Sequence, residues 1–144
     1  MDRRELVLAM LAAANGRPYT PVQIQKAVFL ISRNMPGVID NGLGFAFEPY
    51  DYGPFDANVY SEAEALAREG EAIVARAANG RWNTYAASDH GVDRGSQILD
   101  RLPYETNQYI RGVSEWVRKL NFSTLVKSIY DAYPEMRANS IFRT

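Results

Sequence analysis

Apolar residues recur at helical spacing through the first third of the chain. Leu6, Val7, Met10, Leu11 and Ala14 share one face of a first helix over residues 2–14. Asp2 and Glu5 sit at its start, where the helix dipole favours negative charge, and Asn15-Gly16 forms a C-cap pair. A second helix opens at Thr20 as N-cap, with Pro21 at N1 and Gln23 at N3 completing a capping-box pattern. Val22, Ile24, Ala27, Val28, Leu30 and Ile31 keep its period, Phe29 widens the stripe, and Pro36-Gly37 marks the stop. A third helix over residues 56–69 takes Asp56 as cap, an inner face of Val59, Tyr60, Ala63, Leu66 and Ala67, and Gly70 as C-cap. The period then changes. Residues 72–77 and 82–86 are β-prone runs around Asn79-Gly80, a strong short-range hairpin signal. Helical spacing returns over residues 93–102, 105–120 and 123–133. There Trp116, Val117, Leu120, Leu125, Ile129 and Tyr130 form a second apolar layer, closed by Pro134.

This order predicts an α+β fold, mainly helical. The N-terminal half, residues 1–91, reads as winged-helix-like: three helices plus a β-hairpin. Residues 92–144 read as a helical C-terminal half packed on it, because its stripes need a surface to bury against. With 144 residues, 47% hydrophobic and 23% charged, the chain has enough apolar surface for one core. Neither a repeat nor a low-complexity linker divides it, so a single domain is expected.

Residues 37–55 read as an aromatic-rich connection. Phe45, Phe47, Tyr50, Tyr52 and Phe55 are crowded together with Pro49, Gly53 and Pro54. Gly53 gives backbone freedom at a sharp bend and Pro54 fixes φ beside it. A stiff bend of this kind can aim Tyr50, Tyr52 and Phe55 at a fixed place, and tyrosine suits interfaces and half-buried sites alike. The phenylalanines are expected to plug the space between the second and third helices. Ile141 and Phe142 follow the Pro-stopped last helix; they dock either on the domain or on a partner.

Charge and chemistry narrow the function. A net charge of −1 argues against a dedicated binder of bulk nucleic acid or anionic membrane. The third helix sets Asp56, Glu62, Glu64 and Glu69 against Arg68 alone, a poor surface for phosphates. If the protein is instead a DNA-binding regulator, acting as a dimer, Arg76 and Arg81 on the hairpin would touch the backbone. The absence of cysteine excludes disulfides, thiol nucleophiles and Cys-ligated zinc, and is compatible with a cytoplasmic home. No apolar run reaches the roughly 20 residues of a membrane span. The apolar run after Arg3 and Arg4 reads as a helix rather than a signal segment, since Asp2 and Glu5 are out of place in a basic leader. Asn121-Phe122-Ser123 then carries no glycosylation meaning. His90, the single histidine, reads as a turn residue; Gly42-Leu43-Gly44 lacks the third glycine of a dinucleotide loop. Glu48, Asp51 and Asp56 flank the aromatic loop and could in principle hold Mg²⁺, but a soluble loop carries carboxylates anyway and Asp56 already has a capping role. No catalytic residue, cofactor or metal is expected.

Four segments resemble known bacterial families. Gln25-Lys26-Ala27-Val28-Phe29-Leu30 resembles a helix of the Panacea (SocA-like) antitoxin domains. Tyr52-Gly53-Pro54-Phe55, followed by Val59-Tyr60 and Leu66, is similar to their Tyr-Gly-Pro signature, and residues 85–91 to their segment after the hairpin. The tail over residues 133–141 resembles the ending of the YwgA-like proteins. The resemblance to the antitoxins implies a non-enzymatic domain that neutralises a toxin by binding it, in a toxin–antitoxin or antiviral defence setting. The expected partner surface is Tyr50, Tyr52, Gly53, Pro54 and Phe55 together with Ile141 and Phe142. The expected partner is a protein, with homo-oligomers allowed.

Overall fold

A computed structural model describes residues 1–142. Helix α1 (Arg3–Ala13) is capped as a box: Glu5 N–H donates to the Asp2 carboxylate and Asp2 N–H donates to Glu5. The sequence marked one apolar face, but Leu6 through Ala12 are all buried. The alanines and leucines between the stripe positions are covered too, because α1 runs through the middle of the molecule. Helix α2 (Pro21–Asn34) carries the expected capping box of Thr20 and Gln23.

Helix α3 (Asn58–Arg68) is shorter than its sequence pattern. The Asp56 carboxylate accepts from Asn58 N–H at 2.8 Å, but it stands one residue outside the helical cap, Ala57. Strands β1 (Glu48–Tyr50) and β2 (Gly53–Phe55) pair antiparallel inside the stretch expected to be an irregular connection. Strands β3 (Ala72–Arg76) and β4 (Asn83–Ala87) form the expected hairpin, in register from Ala72↔Ala87 to Arg76↔Asn83. Its loop is longer than a two-residue Asn-Gly turn. Ala77 N–H closes on Trp82 at 2.9 Å, and Gly80 alone in that loop takes positive φ, +71°. Tyr19 bridges to β4 through reciprocal backbone bonds with Tyr85 of 2.8 and 3.0 Å. Its hydroxyl donates to the Met10 carbonyl and shares a 2.6 Å bond with Ser114; burial pushes its pKa up to about 12, against the opposing pull of the Ser114 bond.

Helix α4 (Asp89–Arg101) begins at Asp89 rather than at residue 93, capped by Ser88, whose hydroxyl accepts from Gly91 N–H at 3.0 Å. His90 therefore lies exposed in the first turn of a helix, not in a loop. Gly95 lets α4 lie against α1: a Cβ there would overlap Ala12 and crowd the Leu8 carbonyl. Helix α5 (Tyr104–Lys119) packs on α1 and α2, and α6 (Phe122–Ala132) starts at Asn121, whose side chain accepts from Thr124 N–H. The described residues thus form an α+β fold, mainly helical, of six α-helices and two antiparallel two-stranded sheets. None of these helices is long and apolar enough to cross a membrane.

Candidate functional site: a ring-lined groove beside a clamped corner

The β1–β2 corner is built around the turn Asp51-Tyr52. Gly53 follows with φ of +103°, a region L side chains rarely adopt. A Cβ at Gly53 would also stand 3.3 Å from the Tyr130 ring and 3.5 Å from the Lys26 stem. Glycine is favoured there chiefly by its conformation, and the added Cβ would press on side chains that can give. Gly53 and Pro54 are buried, so they shape the corner rather than offer surface. Tyr50 and Tyr52 point outward at 54% and 41% exposure. Tyr50 stacks on Phe55 with ring centroids 5.0 Å apart, and Tyr52 meets the Phe122 edge at the same distance.

Helix α2 holds the corner from below. Gln25, 1% exposed, donates to the Asp56 carbonyl at 2.9 Å and accepts from Asp56 N–H at 3.1 Å. The Asp56 carboxylate takes Ala46 N–H as well as Asn58 N–H, each at 2.8 Å. Lys26, 3% exposed, donates to the Pro54 carbonyl at 3.2 Å. Burial pulls the Lys26 ammonium down from its ordinary range to about 7.

The C-terminal tail holds the corner from its other side: its backbone and Ser140 dock on the domain. Ile141 N–H and the Ser140 hydroxyl both donate to the Asp51 carbonyl, at 3.0 and 3.3 Å. Tyr130 O–H reaches Ser140 at 2.6 Å, and the Asn139 amide donates to Pro49 at 3.1 Å. Phe142 is half-buried against Phe122, while Ile141 keeps 59% of its surface exposed.

Between the corner, the start of α2, the start of α6 and the β3–β4 loop lies a groove of about 770 Å³. Tyr50, Tyr52, Gly53 and Phe55 line it; Pro54, Ile141 and Phe142 are not among its lining residues. Sequence reasoning missed Gln25, Lys26, Trp82 and Phe122 as parts of this place. A signal for the first two was present: polar residues inside an apolar helical stripe. The phenylalanines do not form a sealed plug between α2 and α3. Phe45, Phe47 and Phe55 are half-buried; Phe47 meets Phe29 of α2 edge-on at 5.4 Å, and Phe55 lies 5.9 Å from Tyr60 of α3.

The acidic third helix needs a correction. Glu62 is bound by both Arg3 and Arg4, and Glu69 by Arg4, so two of its carboxylates are neutralised by the start of α1. The exposed face is Asn58, Ser61, Glu64 and Arg68, nearly neutral rather than strongly negative. Arg76 and Arg81 are exposed and make no ion pair among the described residues. Glu48, Asp51 and Asp56 do not converge, and among the described residues no group of three His, Asp or Glu could hold a metal ion.

No protein-family model, curated protein or solved structure matches the chain.

Proposed function

We propose that the protein is a non-enzymatic protein-binding module whose partner seats on the Tyr50–Tyr52 corner. One observation carries this reading: two exposed tyrosines stand on a turn clamped from both sides, with Ile141 exposed beside them. Rings fixed before binding lose little entropy when a partner covers them, and tyrosine is enriched among the residues that dominate interface energies. The N-terminal half is read as winged-helix-like, with β1–β2 inserted between α2 and α3, supported by the order of α1, α2 and α3 ahead of the β3–β4 hairpin and by the Tyr19 bridge to β4. The resemblance to antitoxin domains suggests a cytoplasmic toxin–antitoxin or antiviral defence setting, with a neighbour-encoded effector as partner.

The test is affinity purification from the native host with the unaltered chain and with Tyr52→Ala. A protein retained by the first and lost from the second, with Tm unchanged within about 2 °C, supports the module. If Tyr52→Ala keeps every retained protein, the corner is not the interface.

One observation favours a second reading, a DNA-binding regulator: Arg76 and Arg81 are exposed at the end of the hairpin and make no ion pair among the described residues. Against it stands the small number of cations on that surface, since duplex affinity grows with the phosphates neutralised.

A further inference from the structure

Among the residues lining the groove, only Lys26 and Asp51 carry charge. Asp51 is half-exposed at the turn, where water and salt screen it. Lys26 is nearly sealed, and screening there is weak. Its ammonium has three donors and one neutral acceptor, the Pro54 carbonyl, with no carboxylate within ion-pair distance among the described residues. A buried cation without a counter-charge is costly, and the depressed pKa of about 7 is the sign of that cost. An anion placed beside it would recover part of it. Two further features favour negative charge. Helices α2 and α6 both begin at the groove, where Pro21 and Phe122 line it, so the positive ends of two helix dipoles face the same space. The remaining walls are mostly rings and aliphatic carbons, including Tyr52, Trp82, Phe122 and Leu125. A volume of about 770 Å³ falls in the range of small-molecule sites.

We propose that the groove binds a small organic carboxylate with an apolar or aromatic body, its carboxylate paired with Lys26 and its body held by Tyr52, Trp82 and Phe122. This goes beyond the protein-binding reading and stands without it, since the ligand contacts only this chain. A filled groove would stiffen the underside of the corner that carries Tyr50 and Tyr52.

The test is calorimetric titration of the full chain with octanoate, phenylbutyrate and indole-propionate, each compared with its own primary amide. The pairs share a body and differ in charge. At least one acid is expected to bind about tenfold more tightly than its amide, the size of effect that one favourable charge contact gives. Lys26→Met is expected to remove that preference and leave amide binding in place. If Lys26→Met does not fold, Lys26→Gln serves the same comparison, and the acid–amide difference on the unaltered chain already decides. The proposal is overturned if no acid binds more tightly than its amide, or if the preference survives the loss of Lys26. Neither result requires a partner protein, so failure here is distinct from failure of the module.

Discussion

The molecule contains two hairpins that are held in opposite ways. Strands β3 and β4 are five residues each, joined by their own ladder and extended by Tyr19. Their backbone holds them, and the far end, with Arg76 and Arg81, runs out into water. Strands β1 and β2 are three residues each, with Pro49 opposite Pro54, so the ladder lacks donors where it most needs them. Side chains distant in sequence hold this corner instead: Gln25 and Lys26 from below, Asn139 and Ser140 from the tail. A backbone-held hairpin is fixed at its root and loose at its tip. A side-chain-held hairpin is fixed at its turn, which is where recognition needs rigidity.

The sharpest way to separate the two is the same glycine substitution in each. Gly91 packs on the root of the β3–β4 hairpin, where Ser88 N–H and the Ser88 hydroxyl hold the Glu71 and Gly70 carbonyls. A Cβ at Gly91 would overlap the Glu71 carbonyl oxygen, and backbone must move to admit it. Gly91→Ala is expected to cost about 3 kcal/mol in urea unfolding. Gly53→Ala meets only the Tyr130 ring and the Lys26 stem, which can give, so strain from the positive φ dominates at about 1–2 kcal/mol. If the two losses are equal, the distinction between backbone and side-chain support is wrong.

Next in size is the pH dependence that Lys26 brings to the corner. Its pKa is lowered in the folded state, from 10.5 to about 7. Between those values the unfolded chain holds a proton that the native chain does not. Stability therefore rises with pH across this window, and the destabilising contribution is fully present below about 7. The unaltered chain is expected to gain about 1 kcal/mol per pH unit between pH 7 and 9 relative to Lys26→Met. The comparison with Lys26→Met cancels the other titrating groups, including Tyr19 and Tyr60, whose raised pKa values act at higher pH. Parallel unfolding curves for the two proteins across that window would show that Lys26 is solvated after all. The β3–β4 hairpin contains no such buried cation and contributes no such slope.

What the sequence revealed follows the same division. The capping boxes of α1 and α2, the Asn15-Gly16 stop and the β3–β4 runs are local patterns, and each was readable because neighbours in sequence make the interaction. The β1–β2 strands were not readable, since three residues with a proline in each carry no alternation and their partners lie in α2 and in the tail. The early start of α4 was hidden by Gly91, which looks like a loop residue but serves close packing on Glu71. Tyr50, Tyr52 and Phe55 were found from composition and from the Gly53-Pro54 bend. Lys26 was visible only as a polar residue in the wrong place, and Trp82 only as a hairpin flank. The charge argument on α3 counted residues without knowing that Arg3 and Arg4 neutralise Glu62 and Glu69.

The smallest effect is expected at the free end of the second hairpin, and it is the one that decides between partners. Arg76→Ser with Arg81→Ser removes two exposed cations that make no ion pair among the described residues. Stability should change by no more than about 0.5 kcal/mol, as for ordinary surface positions. Protein capture that depends on Tyr52 should be unchanged, because these arginines lie outside the clamped corner. Two phosphates neutralised by two arginines give a log–log salt slope of only about −2, or roughly a tenfold loss of affinity between 50 and 200 mM salt. An immobilised duplex should therefore retain neither protein at physiological salt. Retention of the unaltered chain, lost with salt and lost in the double variant, would move the working surface from the rigid corner to the loose hairpin end and make nucleic acid the partner.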